Sequence, residues 1–527
     1  MSLFKSVATF GGFTLVSRIT GFVRDMLLAG FLGAGAVADA FFVAFKLPNL
    51  FRSLFAEGAF TSAFVPLLSQ KMVAEGEDSA FDFASKAISV LVFFLLLFVL
   101  VVEIFMPQLV ALMAPGFLSD PDKFHLTVDL SRITFPFLLF VSVVSFQSGI
   151  LNALNRFAAP AAAPVILNLM MAGAVFVYFP FINTPAYNIS VSVTVAGLIE
   201  IIWLGWFLKK AGAVVRMHFN ILALCRSAEI KTLFRRIAPG ILGAGIYQIN
   251  MMVDTIIVSL VGTGAISWLY YANRLQQLPL GVIGAAISVA LLPILSKHIK
   301  AENLAEARRV QDNAVEYGAL FAIPAAFALI VLAVPVINIL FQHGKFGTLE
   351  TTMTARAVIA YSVGLPVYVL VKALTPNFFA RGDTQTPVKY SIVVFAANIG
   401  FSLLLMKPFG HVGVASATTI AAFVSCGQYV YGLKKRGYWT FSGRLKRRIL
   451  MITLSSLIMA AAIYLGETAL NARYGNWLHL AFMKKIALLS GLCILGVATF
   501  GIMAKLTGAV DYNEILKVFA QKGKKNV

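Results

Sequence analysis

Charge is scarce in this chain. Only 13% of its 527 residues are Asp, Glu, Lys or Arg, against about 25% in soluble domains. That shortage excludes an ordinary soluble globular protein. Cysteine is scarcer still. Cys225, Cys426 and Cys493 are far apart and odd in number, which excludes a disulfide framework and a thiolate metal cage. Six histidines form no cluster. No Walker A loop, Gly-rich nucleotide loop or metal motif occurs, so ATP is not expected as the direct energy source. Acid is also short, with 23 Asp and Glu facing 43 Lys and Arg for a net charge of +20.

What is present is apolar residues, 59% of the chain. Runs of roughly 20 such residues recur about fourteen times, each long enough to cross a bilayer. Their approximate limits are 5–31, 36–68, 86–112, 131–153, 161–181, 187–208, 237–260, 267–295, 314–341, 355–380, 388–406, 412–432, 448–466 and 484–505. The excess of cations does not point to nucleic acid, because it sorts by connection. Lys209, Lys210, Arg216, Arg226, Lys231, Arg235 and Arg236 lie between the sixth and seventh runs. Lys434, Lys435, Arg436, Arg444, Lys446, Arg447 and Arg448 lie between the twelfth and thirteenth. The opposite connections hold few, Lys123 among them. This is the positive-inside distribution, with both termini expected in the cytoplasm.

A repeat underlies the runs. Asp39, Lys46 and Asn49 recur as Ser267, Arg274 and Gln277, at an offset of about 228 residues that spans an even number of membrane crossings. Val65-Pro66-Leu67-Leu68-Ser69 resembles Leu292-Pro293-Ile294-Leu295-Ser296, and Ala159-Pro160 aligns with Thr386-Pro387. The fold class expected is an all-α polytopic membrane protein of about 14 transmembrane helices. Two pseudo-symmetric six-helix lobes, 1–210 and 237–435, would be joined by a cytoplasmic connection, 211–236. They would flank a binding site and be followed by two further helices and a tail, 436–527.

The most telling segment is Asp39-Ala-Phe-Phe-Val-Ala-Phe-Lys46-Leu-Pro48-Asn49-Leu-Phe-Arg52. Ionisable groups at bilayer depth are costly, and by default they face a wet pathway or site. Pro48 removes a backbone hydrogen bond, which a membrane helix tolerates only where another group repairs the loss. Asp39, Lys46 and Glu57 share one stripe of a straight helix, with Asn49 beside it. Arg18, Arg24 and Asp25 add charge to the first run. Arginine is chemically specific here, because its planar fork binds phosphate bidentately and stays charged when desolvated. Arg18, Arg24, Arg52 and Arg274 together would suit a diphosphate; the alternative is a set of internal salt bridges with Asp25, Asp39 and Glu57. Asp254 and Lys372 are lone charges, each either in a cavity or snorkelling to an interface. Glu103 and Glu200 read as interfacial.

The run from Asp39 to Asn49, continued by Phe55-Ala-Glu-Gly-Ala-Phe-Thr-Ser-Ala-Phe-Val-Pro66, strongly resembles the MurJ (MviN) lipid II flippases. So do Ser17-Arg18-Ile-Thr-Gly-Phe-Val-Arg24-Asp25, Ser267-Trp-Leu-Tyr-Tyr-Ala-Asn-Arg274 and Arg381-Gly-Asp-Thr-Gln-Thr-Pro387. The resemblance covers essentially the whole chain. It implies the fold of the multidrug/oligosaccharidyl-lipid/polysaccharide exporter superfamily, a central cationic cavity, and a groove for a polyprenyl tail made with the last two helices. It carries a substrate-binding role to Arg18, Arg24, Arg52, Arg274, Asp39 and Ser267, to which the stripe adds Lys46 and Asn49. Asp25, Glu57, Asp254, Lys372 and Asn377 are candidate ion or gating positions.

The function implied is transport, not enzyme catalysis. The substrate is lipid II, a polyprenyl-diphosphate-linked disaccharide peptide, carried from the inner to the outer leaflet of a bacterial cytoplasmic membrane by alternating access. No cofactor is expected, and a coupling ion or the membrane potential is the candidate drive. Membrane lipids and wall-synthesis proteins are the other candidate partners. Rival readings are a flippase for another polyprenyl-linked glycan, a drug/cation antiporter of the same superfamily, and a membrane enzyme acting on polyprenyl diphosphates.

Overall fold

A computed structural model describes residues 3–53, 59–177 and 184–509, without the side chains of 3–10, 59–62, 238–247 and 285. Every regular element among these residues is helical. Nine described helices are long and apolar enough to cross a membrane, and among the described residues each stretch anticipated from hydropathy carries helix. The chain partitions into two compact units. One comprises Met1–Ser267 with His343–Gly347, the other Trp268–Gln342 with Thr348–Val527.

The internal repeat is written in the element boundaries. Helices begin at Glu77, Met106, Pro121 and Ala158, and again at Leu304, Ala333, Thr348 and Gln385, each 227 residues later. The turns before the last of these pairs also match. Asn155 and Gly382, a repeat apart, both take positive φ, 58° and 75°.

In the first unit, Ala36–Arg52 packs on Pro121–Thr134, and Ala59–Glu75 on both Glu77–Ile104 and Ala228–Ser259. Phe64, Phe83 and Phe146 meet in its core, where Phe64 and Phe146 have ring centroids 4.5 Å apart. Pro48 lies inside Ala36–Arg52, so the Ala44 carbonyl loses its usual partner four residues on. The Thr134 hydroxyl donates to that carbonyl at 3.0 Å. The second unit repeats the device. Pro376 interrupts Thr348–Phe379, and the Ser288 hydroxyl donates to the Lys372 carbonyl at 3.0 Å.

In that second unit Leu304–Val331 packs on Thr348–Phe379 and on Gly443–Tyr474, and the last packs on Phe482–Leu506. Gln385–Lys435 is broken at Gly410, whose φ of 57° and ψ of −135° lie outside the helical region. The chain turns back there, and Gly413 comes so close to the Leu405 carbonyl that a Cβ would collide with it. The eleventh and twelfth apolar runs are the two arms of this hairpin.

Candidate functional site

Asp39 sits in the first turn of Ala36–Arg52 and is completely buried. Its carboxylate accepts from the Gly264 amide at 2.7 Å, the Ser267 amide at 2.9 Å, the Ser267 hydroxyl at 2.5 Å and the Lys123 ammonium at 2.8 Å. The backbone donors open the helix Ala265–Pro279. Helix starts carry unsatisfied N–H groups and the positive end of the macrodipole, so a carboxylate is stabilised there. Lys123 neutralises the charge and also lies 3.9 Å from the centroid of Phe117. Only 5% of Lys123 is exposed.

One level along the same helix, the half-buried Lys46 donates to the Thr255 hydroxyl at 2.5 Å, and the Asp254 charge acts on it. Asn49 donates to its own helix at Phe45, at 2.8 Å. Ser53, just beyond Arg52, receives Gln248 at 2.7 Å. Ala228–Ser259 therefore supplies polar partners at Lys46 and at Ser53. Near the start of the stripe, the Ser259 hydroxyl receives the Gly116 amide at 3.2 Å.

The first helix, Leu3–Leu32, carries a second buried group. Arg24 grips Asp25 through Nε at 3.0 Å and Nη2 at 2.7 Å, and donates to Asn168 at 2.9 Å. Asp25 is completely buried and Arg24 is 4% exposed. Arg18, nearly two turns earlier, is exposed. Arg52 is half-buried and its charge acts on Glu200.

A family model described as lipid II flippase MurJ matches residues 28–485. A probable lipid II flippase MurJ of Rhizobium tropici is 38% identical over 530 residues, covering 99% of this chain and 97% of that one. A lipid II flippase MurJ of Burkholderia cenocepacia is 35% identical over 466 residues, covering 88% and 90%. The chain belongs to the MurJ family. Among solved structures, a lipid II flippase MurJ in an inward closed conformation is 26% identical, with a TM-score of 0.79 over 96% of this chain and 99% of that one. A multidrug resistance MATE transporter in an inward-facing conformation has a TM-score of 0.65 at 13% identity, covering 84% of this chain and 99% of that one, a likeness of fold alone. The chain is a multi-pass membrane protein.

The remaining candidate positions divide between the units. Ser267, completely buried, closes on Asp39 in the first. In the second, Arg274 is half-buried and lies over its own helix neighbour, with Nη2 3.1 Å from the Tyr270 hydroxyl and the guanidinium 5.3 Å from the Tyr270 ring centroid. Lys372 is exposed. Asn377 is buried and its amide donates to Gln311 at 3.0 Å, while its side-chain oxygen accepts from Arg381. The Arg381 guanidinium thus occupies the side-chain oxygen of Asn377. No group of three or more acids, His or Cys suited to a metal occurs among the described residues. Glu57 lies outside the described residues.

Two groups fall differently from the sequence reading. Glu200, expected at an interface, is 3% exposed and well inside Pro185–Lys210. Packing against neighbouring helices, not distance from the span end, decides its surroundings. Lys123, counted only as a loop cation, is the charge partner of Asp39. One local signal marked it. Lys123 sits in the first turn of Pro121–Thr134, where the helix dipole disfavours a cation unless an anion holds it there.

Proposed function

We infer that this protein is a lipid II flippase, moving the polyprenyl-diphosphate-linked peptidoglycan precursor from the inner to the outer leaflet of a bacterial cytoplasmic membrane. It is a transporter and not an enzyme. Membership of the MurJ family over nearly the whole chain carries the reading. The site's chemistry agrees with it. Moving a disaccharide-peptide headgroup bare through hydrocarbon would leave polar groups unpaired, at a cost of several kcal/mol each. Charged side chains held at membrane depth by a packed scaffold offer that headgroup an alternative to water.

The substrate-binding set in this reading is Arg18, Arg24, Arg52 and Arg274 for the diphosphate, with Lys46 and Asn49 beside them. Asp39 and Ser267 act as a closure that must open and reform during alternating access. The two six-helix lobes, with spans 13 and 14 holding the polyprenyl tail, belong to the same proposal. The distribution of Lys and Arg supports cytoplasmic termini. The membrane potential is the drive in this proposal, one unit charge crossing 100 mV being worth about 2.3 kcal/mol.

The decisive experiment depletes the protein in living cells and measures which leaflet holds the precursor. Accumulation in the inner leaflet alone is expected. Normal outer-leaflet exposure in depleted cells would sink the assignment.

A further inference from the structure

The first unit contains a groove of about 430 Å³ that the transport chemistry does not use. It runs between Glu77–Ile104 and the beginning of Ala228–Ser259. Ala87, Leu91, Phe94 and Val101 form one wall, Ile230 and Phe234 part of the other, and every lining residue is apolar. From Ala87 to Val101 an α-helix rises roughly 21 Å. That is close to half of the 40–45 Å bilayer with its headgroup regions, the depth of one leaflet. Phe94 and Phe234 are nearly half exposed, so the groove opens sideways, where lipid is the solvent.

Its mouth is basic. Lys231 and Arg235 are exposed and lie one turn apart beside Phe234, and Arg236 is exposed on the other flank. Side chains four residues apart on a helix have Cβ atoms about 5–6 Å from each other, a spacing that lets two cations share one phosphate. The nearby carboxylates are committed elsewhere. Glu229 holds Lys71 at 2.6 Å and Lys86 at 3.4 Å, and Asp82 holds Lys86 at 2.6 Å.

We propose that this groove binds one membrane phospholipid, with an acyl chain in the apolar slot and an anionic headgroup on Lys231 and Arg235. The proposal rests on the membrane orientation given above, with this end of both helices at the cytoplasmic face. The depth favours a chain of one leaflet over the much longer polyprenyl tail of the substrate. The lipid would brace the cytoplasmic end of the helix that holds Lys46 through Thr255 and reaches Gly116 through Ser259.

The test uses the full chain reconstituted with phosphatidylglycerol or phosphatidylcholine bearing the same diazirine-labelled acyl chain. Adducts are mapped by mass spectrometry after irradiation. Phosphatidylglycerol should label 87–101 and 230–237 about fivefold more than phosphatidylcholine, because each basic residue near the surface adds to anionic-lipid attraction. The double variant Lys231→Gln, Arg235→Gln should bring the ratio near one, and Leu91→Trp should lower labelling by both lipids. Labelling of Phe482–Leu506 should stay unchanged, which reports intact insertion. Equal labelling by the two lipids in the unaltered protein, or a ratio insensitive to the double variant, would overturn the proposal. So would preferential labelling of the groove by a photoreactive polyprenyl diphosphate. The leaflet assay for flipping is independent of all three outcomes.

Discussion

Asp39 and Ser267 are 228 residues apart in the chain, yet the carboxylate of one stands 2.5 Å from the hydroxyl of the other. They are also the positions that the internal repeat makes equivalent. The duplicated stripes therefore meet through their first members, one contributing an acid and the other a hydroxyl with helix-start amides.

Breaking the Asp39 cluster should be costly in proportion to what it leaves behind. Asp39→Asn keeps the shape but strands the buried Lys123 ammonium, and loss of one member of a buried pair costs about 3–5 kcal/mol. Asp39→Asn and Lys123→Met should each lower thermal stability in detergent and impair complementation of a depletion strain. The double variant should be less unstable than the sum of the two. Strict additivity in that cycle would mean that the pair is not coupled.

The arginines make a sharper functional claim. Arg18→Ala, Arg52→Ala and Arg274→Ala should abolish complementation at normal expression levels, and lysine at these positions should restore little because it lacks the bidentate fork. Arg24→Ala should also destabilise the protein, since it strands the buried Asp25. Growth supported equally well by all four alanine variants would remove the diphosphate site.

Thr134→Val tests the repair of the Pro48 break without changing side-chain shape much. The Ala44 carbonyl would lose its donor, and an unsatisfied buried backbone group costs about 1–3 kcal/mol. Thermal unfolding should show that loss. Thr127→Val, which removes a bond made only to a carbonyl four residues back, should cost less.

Acid dependence is expected at the turn before Gln385–Lys435. The Thr386 amide, its hydroxyl and then Arg436 hold the Asp383 carboxyl down at about 2. A depressed folded value means that the contribution is present above the unfolded value of about 3.9 and is lost as pH falls from there towards 2. The difference in melting temperature between the unaltered protein and Asp383→Asn should be constant above about pH 5 and shrink below pH 4. A difference that widened on acidification would contradict the assignment.

Much of the architecture was legible because hydropathy is a local property. A run of apolar residues must cross the membrane whatever its neighbours do, since its backbone can be satisfied only within the helix. The repeat was legible for the same reason, and the helix starts reproduce it at 227 residues. The cost of Pro48 was also readable in the sequence, but not that Thr134, 90 residues from Ala44, supplies the missing donor.

Pairing of charges was not legible. Arg24 and Asp25 are neighbours, so their ion pair could be seen as one option among several. Lys123 and Asp39 are 84 residues apart, and Glu200 meets the field of Arg52 only because Pro185–Lys210 turns that face inward. The sequence by itself determined which segments enter the membrane, that they form a duplicated helical transporter, and which residues carry charge into it. The tertiary structure alone decided which charges neutralise one another, as Lys123 does Asp39. The physical reason is that span formation depends on composition along one helix. A buried ion pair depends on the rotation and register of several packed helices at once, to within a fraction of a helical turn.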